Sequence, residues 1–128
     1  NMGGLMQHVT LHACALGAEE GTCKIVSRPG VSGDSQVRPG TEIPLKTLDS
    51  FGLVDVDLIK IDCEGFEGNV ILGGEQTIMR WKPTMVVEAK RDMAKRFGLE
   101  PQGSIKLLES WGYRVAQEIG GDYVMVPA

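Results

Sequence analysis

The chain has 128 residues, a formal net charge of −4 and 42% hydrophobic residues, which is the composition of one soluble globular domain. The negative charge argues against nucleic acid as a partner, because that binding needs a clustered basic face, and neither a membrane-spanning apolar run nor a signal-peptide pattern is found. The three cysteines have no C-x-x-C spacing and indicate a reducing, cytoplasmic compartment.

The first third of the chain predicts two strands and a loop. Alternating apolar and polar residues predict strands over Val9–Ala15 and Thr22–Ser27, which could pair as a hairpin across Gly17–Gly21. Residues 29–40 have the glycine, proline and serine content of a loop. A short extended segment, Ile43–Leu45, then leads into a helical turn.

The remainder alternates strands and helices, which predicts an α/β fold with a mainly parallel sheet and an antiparallel edge. Asp57–Asp62 is almost continuously aliphatic, as in a parallel strand that is buried on both faces. The elements predicted after it are a helix from Phe66 to Trp81, a strand Thr84–Glu88, a helix Gln102–Trp111, and an antiparallel hairpin of Tyr113–Ala116 with Asp122–Val126.

Carboxylates collect where two predicted strands end. Asp62, Glu64 and Glu67 follow the first strand, and Glu88 ends the second. Ligands of open α/β sheets bind beyond the carboxyl ends of the strands. Three carboxylates at one junction could bind a divalent cation, act as a general base, or cap the first turn of the helix.

Two other polar features, Lys60 and the pair His8 and His12, are weaker indications of a functional site. Lys60 lies inside the aliphatic strand, so it must reach solvent, pair with Asp62 or Glu88, or contact a ligand directly. His8 and His12 lie on one face of a predicted strand, but zinc needs three or four ligands and no third candidate is close in sequence. We therefore predict no metal site.

Four blocks of sequence carry a recognisable pattern, in order and at natural spacing. They contain T-L-D, then D-L-I-K-I-D-x-E-G-x-E, then a valine–leucine–glycine segment, then K-P-x-x-x-x-E. These blocks resemble the FkbM family of methyltransferases, and the resemblance spans roughly residues 5 to 126. The blocks lie at Ile43–Ser50, Val56–Glu67, Val70–Gly74 and Lys82–Glu88, and Val9–Gly17 is similar to the segment that precedes them.

The resemblance implies methyl transfer from S-adenosylmethionine to a hydroxyl oxygen of a small molecule or a sugar. It places Asp62 and Glu64 beside the reacting methyl group, as base or as orienting groups, with Lys60 or Glu88 in support. The implied catalytic residues are Asp62, Glu64, Glu67, Lys60 and Glu88, and the implied cofactor-binding residues are Ala15, Leu16 and Gly17.

The same resemblance implies a Rossmann-like class I methyltransferase sheet, mainly parallel, with a C-terminal antiparallel hairpin. Strands 1 and 2 of that sheet carry the glycine-rich loop and the ribose-binding acidic residue of the family. Neither has a counterpart in this chain, so we expect residues 1–128 to be a single partial domain.

Without strand 1, the strand Asp57–Asp62 has a bare edge, which favours aggregation unless it is covered. Re-paired N-terminal strands or a second copy of the chain could cover it, and we predict a homodimer. The alternative function is a non-catalytic, oligomeric fragment or homologue without its own cofactor site. Metal-dependent phosphoryl transfer on the carboxylates is disfavoured, because no phosphate-cradling loop accompanies them.

Overall fold

The structure is a computed structural model that describes residues 8–27, 35–39, 43–63, 65–89 and 102–128. None of the helices in these ranges is long and apolar enough to cross a membrane. The elements in chain order are β1 (Ala15–Leu16), β2 (Gly21–Ser27), β3 (Ser35–Pro39), β4 (Ile43–Lys46), a 3₁₀ helix (Leu48–Phe51), β5 (Leu58–Ile61), α1 (Glu67–Leu72), α2 (Glu75–Trp81), β6 (Thr84–Glu88), α3 (Gly103–Ser110), β7 (Tyr113–Ile119) and β8 (Asp122–Pro127).

The strands form two four-stranded sheets, with the orders β1-β4-β2-β3 and β5-β6-β8-β7. The pairs β1–β4 and β5–β6 are parallel, and the other pairs in the described ranges are antiparallel. The α/β class is therefore confirmed, but one mainly parallel sheet is corrected to two mixed sheets. The reason is that the N-terminal strands pair with β4 and with each other instead of extending the β5–β6 pair.

The strand predicted at Val9–Ala15 is almost absent. Only Ala15–Leu16 is extended in a sheet, and it pairs in parallel with β4 rather than as a hairpin with β2. Val9 is 48% exposed and Leu11 is 78% exposed, so the alternating apolar residues face no core. Alternation alone does not make a strand when no neighbouring strand lies beside the segment.

A hairpin instead joins β2 to β3, within a segment that the composition predicted to be a loop. β2 has the predicted position, but its antiparallel partners are β3 and β4. The rest of the predicted loop, residues 29–34 and 40, lies outside the described residues. Polar, proline-containing residues such as those of β3 are tolerated at the edge of a sheet, and β3 is an edge strand here.

β5 and β6 confirm the two predicted aliphatic strands, but β5 is buried on one face only. Ile61 is 3% exposed, whereas Leu58 is 59% exposed and Lys60 is also exposed. Among the described residues, the core lies between one face of the second sheet and the helices α1, α2 and α3, and it includes Ile71 and Leu108. The prediction of burial on both faces is wrong, because no described element covers the other face.

The single helix predicted from Phe66 to Trp81 is two helices, α1 and α2, divided at Gly73–Gly74. A Cβ atom on Gly73 would overlap the carbonyl oxygen of Gly17, and one on Gly74 would lie 2.7 Å from a methyl carbon of Leu48. The Gly73 carbonyl also accepts a 2.9 Å hydrogen bond from the Asp49 N–H. The interruption therefore lets the helical layer touch the first sheet and the 3₁₀ helix.

The C-terminal elements match their predictions closely. α3 ends before Gly112, whose φ of 91° suits a residue without a side chain. β7 and β8 form the predicted hairpin across Gly120–Gly121, with an irregularity between Val115 and Gln117. The Tyr113 hydroxyl donates a 2.6 Å hydrogen bond to the Pro83 carbonyl, which ties the start of the hairpin to the start of β6.

The Gly73–Gly17 contact predicts that one methyl group added at Gly73 strongly reduces the stability of the protein. We expect Gly73→Ala to lower the free energy of unfolding by about 1–3 kcal/mol, because backbone must move to admit the Cβ. The matched control is Gly68→Ala in α1, where a Cβ meets nothing within 4 Å. That substitution should stabilise the protein by up to about 1 kcal/mol through helix propensity. Urea unfolding measures both, and equal effects would contradict the contact.

Candidate functional site

The polar residues that the sequence singles out flank the turn between β5 and α1. Asp62 is exposed and directly follows β5. Gly65 has a φ of 102°, a left-handed conformation that residues with side chains rarely adopt. Glu64, one of the predicted catalytic residues, lies outside the described residues. The turn thus carries an accessible carboxylate at the carboxyl end of a parallel strand, where α/β sheets bind ligands.

Glu67, the first residue of α1, turns its carboxylate back onto this turn. Its Oε2 accepts hydrogen bonds from the N–H groups of Cys63 and Gly65, both at 3.0 Å. Its Oε1 accepts from the Gly65 N–H at 3.2 Å. The Glu67 side chain is only 4% exposed. Of the roles left open by the sequence, capping of local N–H groups is the one that this geometry provides.

Burial controls the electrostatics of this carboxylate. The pKa of Glu67 is raised to about 7, chiefly because burial desolvates the carboxylate; the hydrogen bonds from Gly65 and Cys63 oppose that rise, and the nearby negative charge of Glu88 adds to it. Glu88 is itself 6% exposed at the end of β6. The structure therefore brings together two predicted site residues that are far apart in sequence, and both are buried.

Lys60 and Asp62 behave differently from this buried pair. Both are exposed, and they alternate with the buried Ile61 on the strand, so they lie on the side of the sheet away from the helices. Of the three possibilities for Lys60, the structure shows a side chain that reaches solvent. Their roles in chemistry stay predictions.

The predicted cofactor segment lies next to the same turn. Ala15 and Leu16 are half-buried in β1, and the Gly17 N–H donates a 2.9 Å hydrogen bond to the Lys46 carbonyl. A Cβ on Gly17 would lie 3.3 Å from the ring of Phe66, the residue before Glu67. The two predicted groups, Ala15–Gly17 and the carboxylates after β5, therefore converge on one region.

Asp49 is a residue whose role sequence reasoning missed, although it belongs to the T-L-D block. Its Oδ1 accepts from the Thr77 N–H at 2.9 Å and from the Thr77 hydroxyl at 2.7 Å, and its Oδ2 accepts from the Gln76 N–H at 3.1 Å. These bonds cap the first turn of α2. The hydrogen-bond partners are 27 and 28 residues away in sequence, so no local sequence pattern predicts them.

A surface cleft of about 280 Å³ lies at the other end of the second sheet. The segments that line it, at Leu53 and Trp81, precede β5 and β6, so it opens at the amino ends of these strands. Ligands of such sheets bind at the carboxyl ends, and we therefore keep the turn after β5 as the candidate site. The lining residues are Asp49, Gly52, Leu53, Val54, Gln76, Thr77, Arg80 and Trp81.

In the part of the chain that the structure describes, no group of three or more His, Cys, Asp or Glu side chains could hold a metal ion. His8 and His12 are both exposed. The ring of His12 lies 4.5 Å from the ring of Phe51, which is a packing contact.

The fold and this turn define an α/β chain with carboxylates at the carboxyl end of a parallel strand pair. The methyltransferase FkbM domain model matches residues 6–115, and the chain therefore belongs to the FkbM methyltransferase family. Among solved structures, it is similar to methyltransferase FkbM from Methylobacillus flagellatus KT, with a TM-score of 0.51 and 18% identity. The likeness covers 93% of this chain and 28% of that chain. No curated protein gives a significant match.

The Asp49 bonds predict a stabilising role that does not depend on catalysis. We expect Asp49→Ala to lower the free energy of unfolding by about 1–3 kcal/mol, because it removes a helix cap and leaves the buried Thr77 hydroxyl without its acceptor. Asp57→Ala removes the same charge from an exposed position and should change stability by less than about 0.5 kcal/mol. Denaturant unfolding of both variants decides this, and equal losses would contradict the cap.

Proposed function

We propose that this chain contributes to a methyltransferase site that uses S-adenosylmethionine and methylates a hydroxyl oxygen of a small molecule or sugar. The observation that carries the proposal is the FkbM domain match over residues 6–115. The convergence of the Ala15–Gly17 segment and the turn after β5 supports it. A Rossmann-like, class I arrangement belongs to the same proposal.

The described residues suit this cofactor chemically. S-Adenosylmethionine supplies a methyl group on a positively charged sulfonium, together with an adenine ring. Half-buried Ala15, Leu16 and Phe66 offer apolar surface to a flat ring, and the exposed Asp62 offers negative charge near it. Carboxylates favour a nearby cation, and more so where water is partly excluded.

Asp62 is the proposed general base, because it is the exposed carboxylate at the carboxyl end of β5. It accepts the proton of the acceptor hydroxyl while that oxygen forms its bond to the methyl carbon and the carbon–sulfur bond breaks. The proton would then reside on Asp62, and S-adenosylmethionine, when bound, would supply the methyl group. Glu64 is proposed as the second carboxylate that orients the hydroxyl, with Lys60 and Glu88 in support.

Calorimetric titration tests whether the site binds its cofactor. We expect S-adenosylmethionine or its demethylated product to bind with a Kd tighter than about 100 μM, which corresponds to about 5.5 kcal/mol. Asp62→Asn should weaken that affinity about tenfold, since it removes one charge near the sulfonium. Asp55→Asn, at an exposed position with a φ of 55°, is the matched control and should not change it.

The absence of binding heat in wild type would favour the alternative function, a non-catalytic partial domain without its own cofactor site. The chain spans 28% of the length of the solved methyltransferase that it matches, which is the specific observation behind this alternative. In that case the whole-protein activity would require more polypeptide than residues 1–128 provide.

We also propose that two copies of the chain pair through β5. Among the described strands, β5 pairs with β6 on one side and with nothing on the other. The strands β1 to β4 do not re-pair against it. Antiparallel pairing of two β5 edges about Ile61 would place each exposed Lys60 opposite the exposed Asp62 of the other copy.

The backbone of β5 suggests a selective test. The Asp57 carbonyl accepts a 3.0 Å hydrogen bond from the Thr84 N–H, so the backbone groups of Asp57 face β6. Successive residues of a strand face opposite edges, and the N–H of Lys60, three residues later, therefore points to the free edge. Lys60→Pro should therefore abolish pairing without loss of a β5–β6 hydrogen bond. Lys60→Arg keeps both charge and N–H and serves as the control.

Light scattering at micromolar concentration measures the outcome. We expect wild type and Lys60→Arg to have about twice the monomer mass of 13.8 kDa, and Lys60→Pro to have the monomer mass. A monomeric wild type would contradict the proposed dimer. A dimeric Lys60→Pro variant would show that another surface forms it.

A further inference from the structure

We propose that Glu67 is a positioning residue, a clamp whose buried carboxylate holds the turn between β5 and α1 through the N–H groups of Cys63 and Gly65 and so fixes Asp62. This inference rests on the proposed role of Asp62 as the reacting base. It separates Glu67 from the other carboxylates, which the sequence alone treats as equivalent. Glu67 then exchanges no proton with the substrate.

The geometry assigns both oxygens of Glu67 to the turn. The bonds to the Cys63 and Gly65 N–H groups are 3.0 Å long from Oε2, and the second contact to Gly65 is 3.2 Å long from Oε1. Hydrogen bonds to an ionised acceptor are stronger than neutral ones. With 4% of its side chain exposed, Glu67 has little surface for a substrate.

The turn also needs a carboxylate rather than an amide at this position. Glutamine is nearly the same size, but it has one oxygen, and its NH₂ group would face N–H donors that need an acceptor. The Gly65 N–H that faces this carboxylate belongs to a residue with a φ of 102°, a conformation that residues with side chains rarely adopt. Glu67→Gln therefore tests the clamp with minimal change in volume.

The clamp is sensitive to protons, because of its surroundings. Among the described residues, the charged group that acts on Glu67 is Glu88 on β6, and burial together with this charge raises the pKa of Glu67 to about 7. Asp62 is the other described carboxylate on the turn and is exposed. When Glu67 is ionised, both oxygens accept; when it is protonated, one becomes a hydroxyl and the turn is held less tightly.

The effect on global stability has the opposite sign. The folded pKa of about 7 lies above the ordinary value of 4.5, so the folded state binds the proton more tightly than the unfolded state. The stability that the folded protein gains from this tighter proton binding by Glu67 is fully present below pH 4.5 and is lost as the pH rises through about 7. Tight clamping of the turn at neutral and alkaline pH therefore coincides with lower stability of the fold.

Amide NMR of the full chain tests the clamp directly. We expect the Cys63 and Gly65 amide proton resonances of wild type to move together between about pH 5.5 and 8.5, with a midpoint near 7. Glu67→Gln should abolish this titration. Glu75→Gln, the same change in the first turn of α2 at an exposed residue, should leave it intact. Amides that do not titrate in folded wild type overturn the proposal.

Calorimetry with S-adenosylmethionine then connects the clamp to Asp62. We expect Glu67→Gln to weaken binding about tenfold or more, as misplacement of a reacting group does. We expect the affinity of wild type to fall below about pH 7, where Glu67 is protonated, and Glu67→Gln should remove this pH dependence. Glu75→Gln should match wild type. If the wild-type amides titrate but no binding heat appears, the proposed function fails and the hydrogen-bonded clamp stands. If binding is strong and unaffected by Glu67→Gln, the positioning role is wrong.

Discussion

The contact between Gly73 and Gly17 is the constraint on which the rest of the structure depends. Because Gly73 has no side chain, the end of α1 approaches the backbone of Gly17 at the end of β1. The same approach lets the Gly73 carbonyl accept from the Asp49 N–H, while the Asp49 side chain caps α2. One close backbone contact thus joins the two sheets, ends one helix and fixes the start of the next.

This junction also places the candidate site. Gly17 lies beside Phe66, and Phe66 immediately precedes the clamp residue Glu67. The carboxylates then divide by burial rather than by sequence position. Glu67 and Glu88 are buried, and Glu67 accepts hydrogen bonds from the turn, whereas Asp62 is exposed to solvent. The pattern E-G-x-E in the sequence therefore contains a structural acid and, two residues before it, the turn that this acid holds.

Local sequence patterns correctly predicted the elements whose positions in the chain do not depend on which other element packs against them. β6, α3 and the β7–β8 hairpin lie where periodicity placed them. The failures share a physical cause: hydrophobic periodicity reports which side of a residue is buried, but not which element buries it. In the alternating segment, Val9 and Leu11 are exposed, whereas the polar β3 pairs with β2. The hydrogen bond between Asp49 and Thr77 joins residues 28 positions apart, so the sequence revealed the T-L-D motif but not the capping role of Asp49.

The second sheet leaves a physical problem that edge pairing solves only in part. A two-fold axis through paired β5 edges would run perpendicular to the sheet, so both helical layers would lie on the same side. The opposite side, with Leu58 at 59% and Ile119 at 62% exposure, would stay uncovered. Pairing of this kind buries backbone groups rather than apolar area. Its strength would therefore depend on strand hydrogen bonds and on the exposed Lys60–Asp62 pairs, which salt screens.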